Sequence, residues 1–573
     1  MNATGSSIFV DPNYGTGASL FATDKIGDNG STVSGKVGIG SNSAFGVGFA
    51  SMAEFEETLS PYLTNNGGFD GEGAVKNALV LNKPVSIAAG KGITVDTQLT
   101  ATDYDQKVSG DALTLGAGAA LIVTNEALVD AGAVQFANGA GKVEAADDGS
   151  SLVIFAADVT KQDSGKRVFG ANTTVDTALK GQAAGGLLDV AFNNDGTITL
   201  TSNDKRLGEM RQHISEPTTQ LFADYRDGKF AGAVGSLGYK FVYESLTAPG
   251  DAYKAVDIAA HAATYAGAQQ AAVAAVTTMA DAMFGRVGAV GVEAATIAAT
   301  GSQANGGVWL TPMYKSVDSD GFGAQGAAYG ADVDLSGVAF GTDTVNGNMR
   351  FGAVFNIGSG DTEGKGLGNG LKDEFDYYGF GIYSAMGFGN FALVGDASMT
   401  VISHEVEGLG LKGKADTTAV TMGLTGQYTV ATPMVDVTPH LGARFIRLNT
   451  DSYDLVSADG VLATTDFDVQ NVFSVPLGVT LSKAFVAGGW NLAPSADLTI
   501  AFNTGDTEAK SSNQFTGIKS YEYSTEVLDE VQYGLTVGLG AQYGAFGTSF
   551  GISYTGSDNT DSFGVNAQCR YMF

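Results

Sequence analysis

The chain has 573 residues, enough for more than one domain. A net charge of −30 argues against a nucleic-acid partner, since phosphate recognition needs clustered Lys and Arg, and a single cysteine excludes any intramolecular disulfide. Charged residues make up 16%, against about 25% in an ordinary soluble domain, and 81 Gly with only 10 Pro favour repeated strands and tight turns over helices.

The opening "MNATGSSIFVDP" has no basic stretch followed by an apolar core, so no secretory signal is expected there. No run of about 18 apolar residues offers an ordinary transmembrane helix. Residues 1–77 are Gly- and Ser-rich with little period and read as irregular, or as a cap. Residues 78–250 are β-rich. "ALVLNKPVSIAAGKGITV", "ALTLGAGAALIVTNEAL", "GKVEAADDGSSLVIFA" and "LLDVAFNNDGTITLTSND" each join two short apolar strands through a Gly, Asn or Asp turn. Their spacing of a few tens of residues suggests the rungs of a short β-helix, each burying its face on the next. The stretch 205–246 looks partly helical and reads as a junction.

Residues 251–286 differ in kind. They are Ala-rich, and 23 residues from Ile258 to Ala280 carry no formal charge. As one helix that run would be roughly 35 Å long, about a bilayer thickness. His261, Gln269, Gln270 and several Thr make it too polar to face lipid. A slim Ala-rich helix edged with Gln, Thr and His suits the inside of a narrow β-barrel instead, and that is the expectation here; a core helix of a soluble domain is the plainer alternative.

From about residue 307 a period of two takes over. In "VQYGLTVGLGAQY", Tyr533, Leu535, Val537 and Leu539 oppose Gly534, Thr536, Gly538 and Gly540; "FGTSFGISYT" and "FSVPLGVTL" behave alike. Twelve such runs can be counted, near 307–318, 329–343, 349–360, 371–388, 390–406, 415–432, 434–450, 467–486, 490–503, 527–543, 545–556 and 561–573. The apolar stripes are long, nearly free of charge, and often end in aromatics. The opposite faces carry Arg350, Asp396, Thr400, Asp436, His440, Arg444, Asp497 and Arg570. A soluble sandwich would hide the apolar face and wet the other with Lys and Glu. A membrane barrel turns the apolar face to lipid and the polar face to a lumen. Lipid offers no partner for free backbone groups, so the sheet must close on itself. The expected fold is all-β: a 12-stranded antiparallel transmembrane β-barrel over 306–573, a pore-threading α-helix over 251–286, and the β-rich region before it. Acidic joints near Asp318–Asp320, 451–466 and 506–526 are expected as loops.

Catalytic constellations are not apparent. The chain has four His, at 213, 261, 404 and 440. His261 falls on the helix, and His404 and His440 on barrel strands, which leaves His213. No nucleophile elbow or zinc-binding His pair occurs. "DSDGFG" (318–323) and "NNDGT" (193–197) cluster acids, yet neither has the spacing of a Ca²⁺ loop, and solvated turns explain them more simply. No enzyme, metal or cofactor is expected, and Cys569 reads as an apolar filler in an alternating strand.

A solenoid-like region, a pore-length helix closing with "MFGR", a first strand "GGVWLTP" and the final "FGVNAQCRYMF" resemble the classical autotransporters of Gram-negative bacteria (type V secretion), best over 251–573. The resemblance implies an outer-membrane barrel, a surface-exposed passenger, and a last strand read by the barrel-assembly machinery, here through Phe573, Tyr571 and Cys569. It further implies outer-membrane lipid as a partner. The passenger is expected to act in adhesion or as a surface structural protein, through a host or cell-surface ligand or by self-association. Some members cut themselves at an Asn-Asn pair in the helix; residues 251–286 contain no Asn, so the passenger is expected to stay attached. A porin-like outer-membrane protein is the alternative.

Overall fold

A computed structural model of the chain describes residues 8–10, 19–22, 31–33, 36–39, 43–59, 77–95, 111–248, 250–287 and 306–572. Most of the stretch expected to be irregular, and Phe573, lie outside these residues. The chain divides into two compact units. One comprises Met1–Arg211, Thr219–Val234 and Lys240–Tyr253; the other Gln212–Thr218, Gly235–Tyr239 and Lys254–Phe573.

The first unit is a parallel β-solenoid. Ser43–Val47, Asn77–Leu81, Ala119–Val123, Leu152–Phe155 and Lys180–Ala183 stack in one sheet, and Gly92–Val95, Ala112–Leu115, Gly141–Ala145 and Thr173–Val175 in a second. Val85–Ile87 and Val134–Phe136 belong to a third. Like residues stack on like: Phe45, Leu79, Leu121 and Val153 are register partners in sequence, as are Ile93, Leu113, Val143 and Val175. All eight are buried in one core. No rung could bury such a face alone, so the stack is the unit of stability. The first sheet is covered on its outer side too, where Ala78, Val80, Ala120 and Ile122 pack with Phe49 and with Phe55 of the helix Met52–Leu59. Burial on both faces explains why "NALVL" and "AALIV" are continuous apolar runs without alternation. The parallel stack ends in antiparallel pairs, Lys180–Ala183 with Leu188–Phe192 and that strand with Ile198–Ser202. The residues of "NNDGT", with Asp195 as the one acid, form that last hairpin's turn. Asp195 accepts from the Thr197 N–H and hydroxyl at 3.1 and 2.7 Å, which holds its carboxyl below the ordinary range.

The second unit contains a closed antiparallel barrel of twelve strands. In order these are Gly307–Ala324, Ala327–Asn346, Met349–Gly366, Leu371–Phe388, Phe391–Gly408, Leu411–Tyr428, Asp436–Thr450 continued by Tyr453–Ser457, Gly460–Phe467 continued by Gln470–Ser482 and Phe485–Ala487, Trp490–Gly505 continued by Glu508–Phe515, Tyr521–Glu526 continued by Val531–Tyr543, Phe546–Gly556, and Thr560–Met572. The twelfth pairs with the first, setting Arg570 opposite Trp309 and Cys569 opposite Leu310. Closure leaves no free edge.

Many strands run past the ends that alternation predicts. The first reaches Ala324, carrying Asp318–Asp320 inside it with a register shift between Ser319 and Phe322, so that acidic stretch is not a loop. The third reaches Gly366. The cause is a change on the outer face. Beyond the apolar band the outward residues become charged while the ladder continues, as in the row Asp332, Glu363, Lys372, Glu407, Lys412 across strands two to six. The backbone pairing persists where the hydrophobic period has gone.

The expected single helix is three pieces, Lys254–Ala260, Ala262–Tyr265 and Ala268–Val287. The second break is made by Gly267, at φ +94; a Cβ there would sit 2.7 Å from Ala331 Cβ, so only glycine fits. The carbonyl freed at Ala266 accepts the Thr362 hydroxyl.

Candidate functional site

The candidate site is the barrel interior and the helix in it. Ala271, Ala272, Ala274, Ala275 and Val276 pack against Val333, Leu335, Phe375, Tyr377, Ile402 and Leu448, inward side chains of strands two, four, five and seven. The part of the lumen that receives the helix is thus apolar, where the sequence suggested a polar wall throughout. Ala at these helix positions leaves the volume that the large strand side chains occupy, and the match is tight because barrel and helix both bury here. Polar contacts fix the register. Gln270 Nε2 donates to Tyr329 Oη at 2.8 Å, and Tyr329 Oη donates to the Glu526 carbonyl at 2.7 Å. Gln269 Nε2 lies 3.5 Å from Thr450 Oγ1. His261 stacks on Tyr265 at 4.4 Å with its Nδ1 2.9 Å from the Asp257 carbonyl oxygen. Asp257 itself, absent from the sequence-derived candidates, is buried and receives the Ser215 N–H and hydroxyl, the Thr218 hydroxyl and the Tyr265 hydroxyl.

The helix end is held by a charged node. Arg350 is 1% exposed and donates to Asp343 Oδ1 at 2.6 Å. Arg286, in the helix's last turn, meets the same carboxylate at 2.7 Å. Tyr383 Oη donates to Asp343 Oδ2 at 3.0 Å and receives Trp309 Nε1–H at 2.7 Å. Asp343 and Arg286 were not singled out in the sequence. Alternation would have placed Asp343 inward, but nothing local ties it to a residue 57 positions earlier.

On the other side of the helix the lumen is polar and open. Arg444 grips Asp396 with two parallel bonds of 2.8 and 3.0 Å, and a Cβ on Gly423 would strike both partners. His440 Nε2 lies 2.9 Å from Asp497 Oδ1, whose oxygens also accept the Thr480 and Thr499 hydroxyls. Arg570 donates to Gln542 Oε1 at 2.7 Å. His440, Asp497 and Arg444 line a cavity of about 370 Å³ bounded by the helix residues Thr277, Thr278 and Asp281.

The outer wall presents Leu310, Phe340, Phe355, Phe380, Leu424 and Leu535 to its surroundings, between aromatic rows that include Tyr378, Tyr533 and Tyr554 towards one rim and Phe388, Tyr428, Tyr543 and Tyr571 at the other. An uncovered apolar belt of this extent has only lipid to meet. Tyr571, 58% exposed, and the free thiol of Cys569 belong to that belt. Phe573 lies outside the described residues.

Residues 308–555 match the family model described as Autotransporter beta-domain. The barrel is an autotransporter β-domain. Barrels of this family belong to the outer membrane of Gram-negative bacteria and serve export of a passenger to the surface; the family is one of transporters, not enzymes. Among solved structures the chain is similar to the translocator domain of NalP from Neisseria meningitidis (16% identity over 55% of this chain and 100% of that one, TM-score 0.41). It is also similar to the β domain of the Bordetella autotransporter BrkA (17%, 47% and 100%, TM-score 0.36) and to the transport unit of AIDA-I from Escherichia coli (15%, 49% and 96%, TM-score 0.38). No curated protein matches the chain.

Proposed function

We propose that this autotransporter displays its N-terminal solenoid at the cell surface as a permanently attached structural or adhesive module. The observation that carries this reading is the Arg286–Asp343–Arg350 node, which ties the helix to the barrel wall by buried charge pairs. A helix held in this way keeps the passenger on its anchor, and a stacked solenoid gives an extended surface for a host ligand or for another copy. A scaffold rather than an enzyme is favoured by composition: all four His fall at 213, 261, 404 and 440, positions of the barrel unit, so the solenoid unit has no imidazole to act as a general base. The terminal strand, through Tyr571, Cys569 and Phe573, is the segment offered to the barrel-assembly machinery.

Protease shaving of intact cells followed by peptide mapping tests the reading. The expected result is release of peptides from the solenoid unit with the barrel protected, and full-length chain in untreated outer membranes. Protection of the solenoid, or a barrel fragment already separated from it, would overturn the proposal.

A further inference from the structure

Strands six to eight carry an apolar column on their outer face. Met422 and Leu424 on strand six, Leu441 on strand seven, and Phe473 and Leu477 on strand eight are all exposed there. The column ends abruptly. Above Phe445 the next outward residues of strand seven are Arg447 and Asn449, and above Phe473 that of strand eight is Asn471. Register sets Arg447 between Val420 and Asn471, and Asn449 beside Thr418. One cation therefore stands at the head of a lipid-facing column, with a hydroxyl and two amides around it. Beyond it on strand seven, Tyr453 Oη accepts the Ala263 N–H at 3.2 Å, so this is the rim at which the helix begins. With the passenger exported, it is the outer rim.

Arg447 is exposed and forms no ion pair among the described residues. Its nearest polar partner is Asn471 Oδ1, 3.5 Å from Nη1, which is the long limit of a hydrogen bond. The lysines on the outer face of strands three to six differ, because each meets an acid. Lys365 is held by Asp318 and Asp332 at 2.7 and 2.6 Å, Lys372 by Glu363 at 2.7 Å, Lys412 by Glu407 at 3.1 Å, and Lys414 by Glu405. The acids nearest to Arg447 in the ladder lie elsewhere. Asp506, beyond Asn471, accepts the Asn471 N–H at 2.9 Å, and Asp416 lies one outward step above Thr418. An anion is thus attracted at the level of Arg447 and repelled above it.

We propose that Arg447, with Asn449, Asn471 and Thr418, binds the phosphate of an acylated lipid in the outer leaflet, whose chains lie along the column below. A guanidinium presents paired donors that match phosphate oxygens. An anionic headgroup at the membrane surface is drawn to a basic side chain there. The apolar column beneath the guanidinium adds the contact area that inorganic phosphate cannot supply.

Native mass spectrometry of the folded full chain tests this, with heat-modifiable migration as the check on folding. The probe is a diphosphorylated, acylated glucosamine disaccharide titrated in neutral detergent. Arg447→Gln should weaken its uptake at least about tenfold, the order of one charge-assisted hydrogen bond. The same lipid stripped of its phosphates should bind the parent as weakly as the phosphorylated lipid binds Arg447→Gln. Equal uptake by the parent and Arg447→Gln, or equal uptake of the two lipids by the parent, would overturn the proposal, since the arginine would then reach for water alone. Displacement of the bound lipid by an equal concentration of inorganic phosphate would overturn it too, because the ligand would be the free anion and not the lipid.

Discussion

Asp343 shows what one residue decides. Its carboxylate serves Arg286, Arg350 and Tyr383 in a setting where both guanidiniums are at most 1% exposed. Removing the acid from between two buried cations costs about 3–5 kcal/mol, more than the pair contributes relative to an apolar filling. Asp343→Ala is expected to lower the barrel's unfolding free energy by that order and so to shift its denaturant midpoint down; an unchanged midpoint would show that the node carries no stability. Single residues were legible here only by the face they occupy. Arg350, Asp396, Arg444, His440 and Asp497 read as inward from alternation, while the pairings among them, and the Asp343 carboxylate that joins Arg350 to Arg286 of the helix, did not.

At the scale of elements, the helix and the last strand gave opposite lessons. The Ala-rich run announced a helix, but its breaks depend on what surrounds it. Gly267 turns because Ala331 and Thr362 press against it, and Gly364 and Gly368 leave room for the Tyr265 carbonyl, which a Cβ on either would approach within 2.5 Å. The last strand could be read almost directly, since Cys569 and Tyr571 face outward and Gln568 and Arg570 inward by simple alternation. If the terminal aromatic is what the assembly machinery recognises, deleting Phe573 should reduce the amount of barrel in the outer membrane while leaving the solenoid's fold intact. Immunoblots of fractionated membranes decide it, and equal membrane levels would refute the assignment.

At the scale of the molecule, the two units are stabilised by different means. The solenoid depends on stacked aliphatic columns, so damage passes from rung to rung through neighbours. Leu121, fully buried between Leu79 and Val153, is a central member of one column. Leu121→Ala should cost about 2–5 kcal/mol there and open the solenoid to limited proteolysis. The barrel's heat-modifiable migration should not change; a shift in it would mean the two units do not unfold separately.

The amino-acid sequence by itself determined that there is a barrel and how many strands it has, and marked an Ala-rich helical stretch before it. These follow from periods of two and from composition, which are local properties dictated by lipid on one side. Tertiary structure alone decided how far the strands extend, that the lumen is apolar where it holds the helix and polar beside it, and which acid meets which base. Alternation identifies an inward side chain without saying what lies opposite. Pairing across a barrel and packing against a helix bring together residues far apart in the chain, and that information exists only once the sheet has closed.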